Sequence, residues 1–166
     1  MDVARVSLDS PVGPLRIDAT HDGVVACAFA DDQIKAGGGG LALHHALRLR
    51  DELLAYFAGS LQHFTTPLAP EGTQFQRRVW DALREIPYAV LISYGQLAAR
   101  VGCPDGARAV GLANAKNPIA IVIPCHRVIA ADGTLHGYAG GLHRKARLLD
   151  HEQQHAIIAA TLFAGR

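Results

Sequence analysis

Ile119-Ala120-Ile121-Val122-Ile123-Pro124-Cys125-His126-Arg127-Val128 is the stretch around which the rest of the chain arranges itself. Five apolar residues in a row, without the alternation of a half-solvated strand, predict a strand buried on both faces over Ile119 to Ile123. Pro124 has no N–H to give a ladder, so the strand must break there, directly before a cysteine. A cysteine is ordinarily a small buried hydrophobe. Here His126 and Arg127 stand beside it, and cationic neighbours favour the thiolate, the nucleophilic form. Successive residues of an extended segment point to opposite faces, so Cys125 and His126 can meet only through a turn or a bridging water. A carboxylate would then hold the imidazole in one tautomer. Glu152 is a candidate, which spacing alone does not select.

Working outward, an apolar stripe of Phe75, Val79, Trp80 and Leu83 predicts a core-facing helix from Thr73 or Gln74 to Ile86, ended by Pro87-Tyr88. Ser93-Tyr94-Gly95-Gln96 is a capping box for a second helix that ends near Val101-Gly102. After the turn Cys103-Pro104-Asp105-Gly106, a third helix is expected from Ala107 to about Lys116, closed by Asn117-Pro118. Two short helices around a glycine-containing turn suggest a helix-turn-helix. The small residues Ala107, Ala109, Gly111, Ala113 and Ala115 leave a slim second helix able to approach a nucleic-acid groove. A closely packed helical hairpin would show the same pattern. Downstream, the turn Ala131-Asp132-Gly133 and the glycine-rich Gly137-Tyr138-Ala139-Gly140-Gly141 precede a helix from Leu142 to Gln153 and a short apolar tail.

The first thirty residues look like an antiparallel meander, with apolar runs Val3 to Leu8, Leu15 to Ala19 and Val24 to Phe29 parted by turn-forming clusters. Cys27, inside the third run, reads as a buried apolar residue. After Gly37 to Gly40, helical periodicity runs from Leu41 to Phe57, with His44 and His45 expected in solvent. Leu61 to Gly72 reads as strand remnant and linker, which divides the chain into a 1–70 domain and a 71–166 domain.

With 19% charged and 49% hydrophobic residues the chain is ordinary for a globular protein. Three cysteines without a CxxC pair fit neither a disulfide framework nor a cysteine-rich zinc site, and imply a reducing compartment. No leader-like or membrane-spanning stretch is evident, so a cytoplasmic protein is expected. The net charge of +1 hides a polarity: residues 1–74 carry five Lys/Arg against nine Asp/Glu, and residues 75–150 carry ten against five. A basic C-terminal half is the expected footprint of phosphate contacts.

Ile123-Pro124-Cys125-His126-Arg127-Val128 resembles the active-site signature of the O6-alkylguanine-DNA alkyltransferases. The resemblance continues through Phe75-Gln76-x-x-Val79-Trp80, Ile92-Ser93-Tyr94, Ala107-Arg108-Ala109-Val110-Gly111, Asn117-Pro118, Tyr138-x-Gly140-Gly141, Lys145 and His151-Glu152. It covers roughly residues 72 to 153, with a weak extension at Leu8-Asp9-Ser10-Pro11-x-Gly13. It implies an α/β fold: a small N-terminal ribonuclease-H-like α/β domain, then a mainly helical C-terminal domain with a helix-turn-helix. It implies direct, single-turnover transfer of an alkyl group from O6-alkylguanine in duplex DNA, with O4-alkylthymine a further substrate in view, to the thiol of Cys125. By the same resemblance His126 is the base through a water, Glu152 its orienter, and Asn117 a hinge amide. Tyr94 donates to guanine N3, and Arg108 fills the gap left in the duplex. Tyr138, the Ala139 amide and Lys145 neutralise charge at O6, and the carbonyls of Cys125 and Val128 read the exocyclic amine. Ser93 joins the DNA-binding set. No cofactor and no metal are implied, and the partner is double-stranded DNA, with no membrane, a monomeric protein, and association with the nucleoid if the source is bacterial.

Four features depart from the family pattern. Ala139 offers only a backbone donor where some relatives have serine. Ala120 replaces a pocket proline, which leaves room for larger alkyl groups. Asp105 puts a negative charge at the entrance of the recognition helix. Met1, Thr20 and Val25 stand near the positions where some relatives carry zinc ligands, so no zinc is expected in the first domain. Two rivals are weighed against this family. His151-Glu152-Gln153-Gln154-His155 matches the zinc-hydrolase pattern H-E-x-x-H, but the tail after His155 holds no third ligand. A non-catalytic helix-turn-helix DNA-binding protein would need no reactive cysteine.

Overall fold

The computed structural model describes residues 2–164, and the expectation about Met1 as a replaced zinc ligand lies outside the described residues. Two compact units emerge, Met1–Thr73 with Pro118–Val122, and Gln74–Asn117 with Ile123–Arg166.

In the first unit the strands β1 (Ala4–Leu8), β2 (Leu15–Thr20) and β3 (Gly23–Phe29) form an antiparallel sheet in the order β1-β2-β3. Ala4, Val6, Leu8, Leu15, Ile17 and Ala19 are buried at alternate positions. The period of two fits a sheet with one covered face. The cover is helix α1 (Gly40–Phe57), whose buried Ala42, Ala46, Leu49, Leu53 and Tyr56 recur every three or four residues. Gly59 ends it in the left-handed region at φ 81, donating its N–H to the Tyr56 carbonyl while Ser60 donates to Ala55, the paired bonds of a Schellman cap. His44 is exposed as expected, but His45 is buried and its Nε2 lies 3.2 Å from the His21 carbonyl. It sits on the apolar stripe of α1, one residue before Ala46, which the run of sequence concealed. The remnant expected after α1 amounts to one parallel bridge, Val24 with Leu68.

The stretch from Ile119 to Ile123 is buried as expected apart from half-buried Ala120, but it is not a strand. Ile119 makes a single parallel bridge with Cys27, and the ladder then stops. Ile121 adopts φ 73, and Val122 donates its N–H to the Ala120 carbonyl at 2.8 Å, a three-residue turn of the strained sense. A β-branched residue in that region is a genuine outlier and persists only where surroundings over-determine it. Ile121 has that support, being 1% exposed.

The second unit holds α2 (Gln74–Arg84), β4 (Ile92–Ser93), α3 (Tyr94–Arg100), α4 (Ala107–Ala115), β5 (Val128–Ile129) and α5 (Leu142–Ala164). Val79, Trp80 and Leu83 of α2 are buried, and the Trp80 indole donates to the Ala113 carbonyl at 2.9 Å, fixing α2 to α4. The Ser93 capping box forms with both of its bonds, Gln96 N–H to Ser93 Oγ at 3.1 Å and Ser93 N–H to Gln96 Oε1 at 2.8 Å. Gly102 at φ 78 closes α3 with a second Schellman pair, and α4 begins five residues later. The α3–α4 pair is the helix-turn-helix. β4 and β5 pair in parallel, Ile92 with Val128 and Ser93 with Ile129, tying the start of α3 to the segment after Cys125. The last helix does not stop at Gln153 but continues to Ala164, because Ala156 onward offers no proline or glycine before Gly165 to end it. No helix among the described residues is long and apolar enough to cross a membrane.

Candidate active site

Cys125 opens a single 3-10 turn, Cys125–Arg127, all three residues of which are buried. Pro124, at φ −81 and ψ 62, sits at the centre of a tight turn closed by the Cys125 N–H on the Ile123 carbonyl at 2.8 Å. The Ile123 carbonyl also receives the side-chain amide of Asn117 at 2.7 Å. Asn117 stands just past the Lys116 cap of α4, so one amide joins the end of α4 to the cysteine turn. The same side chain also reaches the Cys125 sulfur and acts to lower the pKa of its thiol.

Beneath this turn lies a saturated carboxylate. Glu152 of α5 is fully buried, and its Oε2 accepts His126 Nε2 at 2.7 Å and Arg127 Nη2 at 3.1 Å. Its Oε1 accepts Arg127 Nε at 2.8 Å and the Ala89 N–H at 3.2 Å. Four bonds fill the four acceptor positions of a carboxylate. Ala89 reaches Glu152 from the left-handed region, at φ 60, and its carbonyl accepts Gln153 Nε2 at 3.0 Å. Burial alone would raise the Glu152 carboxyl; hydrogen bonds from His126 and Arg127, together with the Arg127 charge, outweigh it and hold the group far below the usual carboxylate range.

The same carboxylate fixes the tautomer of the histidine. A carboxylate only accepts, so His126 carries its hydrogen on Nε2 and presents a lone pair at Nδ1. That Nδ1 is buried without a hydrogen-bond partner. Burial pushes the imidazole pKa down, and although Glu152 pulls it up, the nearby charges of Arg127 and Lys145 act with the burial. His126 is therefore a neutral base.

Cys125 differs from the sequence expectation, because neither neighbour lends a charge to the sulfur and His126 is neutral. Arg127 does not serve the thiolate: its guanidinium is spent on Glu152 and on the Ile86 carbonyl at 2.7 Å, with the Tyr88 ring 5.6 Å away. Burial pushes the Cys125 thiol up, and the groups that oppose this are Asn117, the Lys145 charge and nearby backbone amides. The resting group is a thiol, poised for deprotonation as the reaction proceeds.

Lys145 of α5 is a fully buried cation whose Nζ donates to the Val128 carbonyl at 2.6 Å and the His136 carbonyl at 2.8 Å, 5.9 Å from the Tyr94 ring centre. Its pKa is lowered by burial, against the pull of Cys125. Tyr94, the first residue of α3, donates its hydroxyl to the same His136 carbonyl at 3.1 Å. Its phenol is pushed up by burial and by Cys125.

Cys125, His126, Glu152, Asn117, Tyr94, Val128 and Lys145 are thus brought together in one unit. The Val128 carbonyl is engaged by Lys145, and the Cys125 carbonyl accepts the Val128 N–H. Ser93 is the cap of α3, Arg108 is exposed on α4, Tyr138 is half-buried and Ala139 exposed on the glycine-rich turn before α5. Sequence reasoning missed the clamp role of Arg127 and the acceptor role of the His136 carbonyl. The first had a signal: a guanidinium in a buried apolar context must find a carboxylate. A backbone carbonyl leaves none.

The H-E-x-x-H pattern is dismantled by the same geometry. Glu152 turns inward to His126 and Arg127, while His155 Nδ1 bonds the His151 carbonyl at 2.7 Å. Among the described residues no group of three or more His, Cys, Asp or Glu side chains could hold a metal ion.

Residues 74–154 match the sequence profile of the 6-O-methylguanine DNA methyltransferase DNA-binding domain. A methylated-DNA–protein-cysteine methyltransferase of Mycobacterium leprae is 49% identical over 160 residues, covering 95% of this chain and 96% of its own. The chain belongs to the methylated-DNA–protein-cysteine methyltransferase family. Crystal structures agree with that placement of a methyltransferase chain. The O6-methylguanine methyltransferase of Mycobacterium tuberculosis superposes with a TM-score of 0.83 at 43% identity, covering 97% of this chain and 99% of that one. Mycobacterium tuberculosis OGT in complex with DNA superposes with a TM-score of 0.80 at 44% identity, over 90% and 92% of the two chains.

The buried pair gives this methyltransferase a pH dependence of stability. Both Glu152 and His126 have folded pKa values below their ordinary ones, about 4.3 and 6.5. The unfolded chain therefore binds more protons than the folded chain as pH falls below about 6.5, and stability declines on acidification. The urea midpoint is expected to be flat near pH 7.5 and to fall steadily toward pH 4.5. A midpoint that rises over that range would contradict the assigned protonation states.

Proposed function

We propose that the chain repairs O6-alkylguanine in duplex DNA by moving the alkyl group irreversibly onto Cys125. The observation that carries this is the buried set in which a cysteine, a neutral histidine with a free Nδ1 lone pair and a saturated carboxylate lie on one turn and one helix. The thiol proton passes to His126 Nδ1 through a bridging water, and the sulfur attacks the alkyl carbon. A carbon–sulfur bond forms, the bond from carbon to O6 breaks, and its electron pair stays on the guanine, which takes up one proton, equivalent to the one that left the thiol, to give the normal base. Lys145 and the Ala139 amide, with Tyr138, stabilise charge at O6, and Tyr94 donates to N3. A thioether does not hydrolyse, so each molecule acts once.

The alkyl carbon is out of reach inside the stack, so the nucleotide must be extruded into the pocket. The helix-turn-helix of α3 and α4 holds the duplex, with Ser93 at the entry to α3 and Arg108 filling the vacated position. The N-terminal α/β domain, 1–70, and the DNA-binding acceptor domain, 71–166, divide the labour, in a monomeric protein of the cytoplasm that associates with the nucleoid if its source is bacterial.

Incubation with duplex carrying one O6-methylguanine should restore guanine with one methyl gained per chain; an unrepaired lesion would refute the function. Arg108→Ala isolates the duplex step. Extrusion costs a few kcal/mol, so losing the side chain that fills the gap should slow duplex repair by roughly tenfold to a hundredfold. Reaction with the free O6-alkylguanine base should be nearly unchanged, since it has no stack to open. Equal losses on both substrates would assign Arg108 a structural role.

A further inference from the structure

One backbone oxygen is shared by the two donors that the proposed transfer uses. The His136 carbonyl accepts the Tyr94 hydroxyl at 3.1 Å and the Lys145 ammonium at 2.8 Å. It lies on an exposed turn, and an oxygen on such a turn is only as well placed as the turn itself. Two backbone bonds shape it, Gly133 N–H to Ala130 O at 2.9 Å and Ala130 N–H to Thr134 O at 3.0 Å. A chain of side chains then runs along it. Asp132 Oδ1 accepts the Thr134 N–H at 3.0 Å and the Thr134 hydroxyl at 2.6 Å, and Thr134 Oγ1 lies 2.8 Å from His136 Nε2.

The hydrogens in this series of side chains run in one direction. A carboxylate only accepts, so the single hydroxyl hydrogen of Thr134 goes to Asp132. Thr134 Oγ1 then receives a hydrogen from His136 Nε2. The Thr134 bonds hold the Asp132 carboxyl below its ordinary range, so it remains an acceptor at neutral pH.

We propose that Asp132, Thr134 and His136 are positioning residues for alkyl transfer, holding the turn whose His136 carbonyl sets the Tyr94 hydroxyl and the Lys145 ammonium before a base enters. Lys145 has three N–H donors, and the carbonyls of Val128 and His136 take two, which aims the third. Tyr94 has one, so an entering guanine must exchange its own acceptor for the His136 oxygen. Only the Tyr94 hydrogen changes partner; the third Lys145 donor is placed before reaction and needs no reorganisation during it.

This assignment rests on the alkyl-transfer function proposed above, and the test separates the two. Wild type, Thr134→Val, Thr134→Ser and His136→Ala are compared in single-turnover transfer from saturating free O6-benzylguanine and in alkylation of Cys125 by iodoacetamide, followed on the Cys125 peptide because Cys103 is also a free, part-buried thiol; that alkylation needs the thiol but no base-reading donors. Thr134→Val and His136→Ala should transfer the benzyl group roughly threefold to tenfold more slowly, the scale of one hydrogen bond. Their iodoacetamide rates and melting temperatures should match wild type, and Thr134→Ser should recover the transfer rate. Wild-type transfer in both variants, equal loss in both reactions, or no recovery with serine would overturn the assignment. A wild-type protein that takes no benzyl group would overturn the transfer function itself, and the positioning role with it.

Discussion

Glu152→Gln is expected to slow alkyl transfer by roughly a hundredfold or more while leaving a folded but less stable protein. The carboxylate gives two acceptor oxygens to four donors, from His126, Arg127 and Ala89. A carboxamide keeps the shape but turns one of those oxygens into a donor. If its NH2 faces Arg127, two donors confront each other in a buried site. If it faces His126, Nε2 must become the acceptor and the hydrogen moves to Nδ1, which removes the base. General-base contributions of 10² to 10⁴ set the scale of the loss. Stability should fall as well, because the Arg127 guanidinium is buried and loses its counter-charge. Breaking one side of a buried pair costs about 3–5 kcal/mol, which for a chain of this size lowers the melting temperature by roughly 6–20 °C. Stopped reactions on the folded variant separate the two effects. Transfer within a few fold of wild type would mean that Glu152 orients nothing.

The site was legible in the sequence wherever chemistry dictates residue type. Cys125, His126 and Asn117 stand on one short stretch, and the capping box at Ser93 announces α3. Glu152 was only a candidate from spacing, since a pairing across 26 residues depends on how α5 returns to the cysteine turn. Burial of Ile119 to Ile123 could be read from composition, but secondary structure could not. An apolar run says that water is excluded and is silent on whether its backbone pairs, and the left-handed Ile121 ends the ladder after one bridge. His45 misled in the opposite way, a polar residue on a buried stripe that bonds a backbone oxygen. Arg127 was placed beside the thiolate by adjacency, yet the 3-10 turn sends it to Glu152. Adjacency in sequence predicts contact only where the local conformation is known.

The second large effect concerns the acceptor itself, and three free thiols make it a clean discrimination. Cys27 is 1% exposed, and burial together with the charge of Asp18 pushes its thiol up to about 12. Cys103 is only part-buried, in the turn before α4. Only Cys125 lies with a neutral histidine base and a buried ammonium. Cys125→Ala should therefore abolish transfer while preserving affinity for duplex DNA, since the thiol contributes no phosphate contact. The decisive measurement is peptide mapping by mass spectrometry after incubation with duplex containing a single O6-methylguanine. The predicted result is one methyl group per chain, on Cys125, and none on the Cys125→Ala protein. Methyl on Cys27 or Cys103, or on the variant, would contradict it.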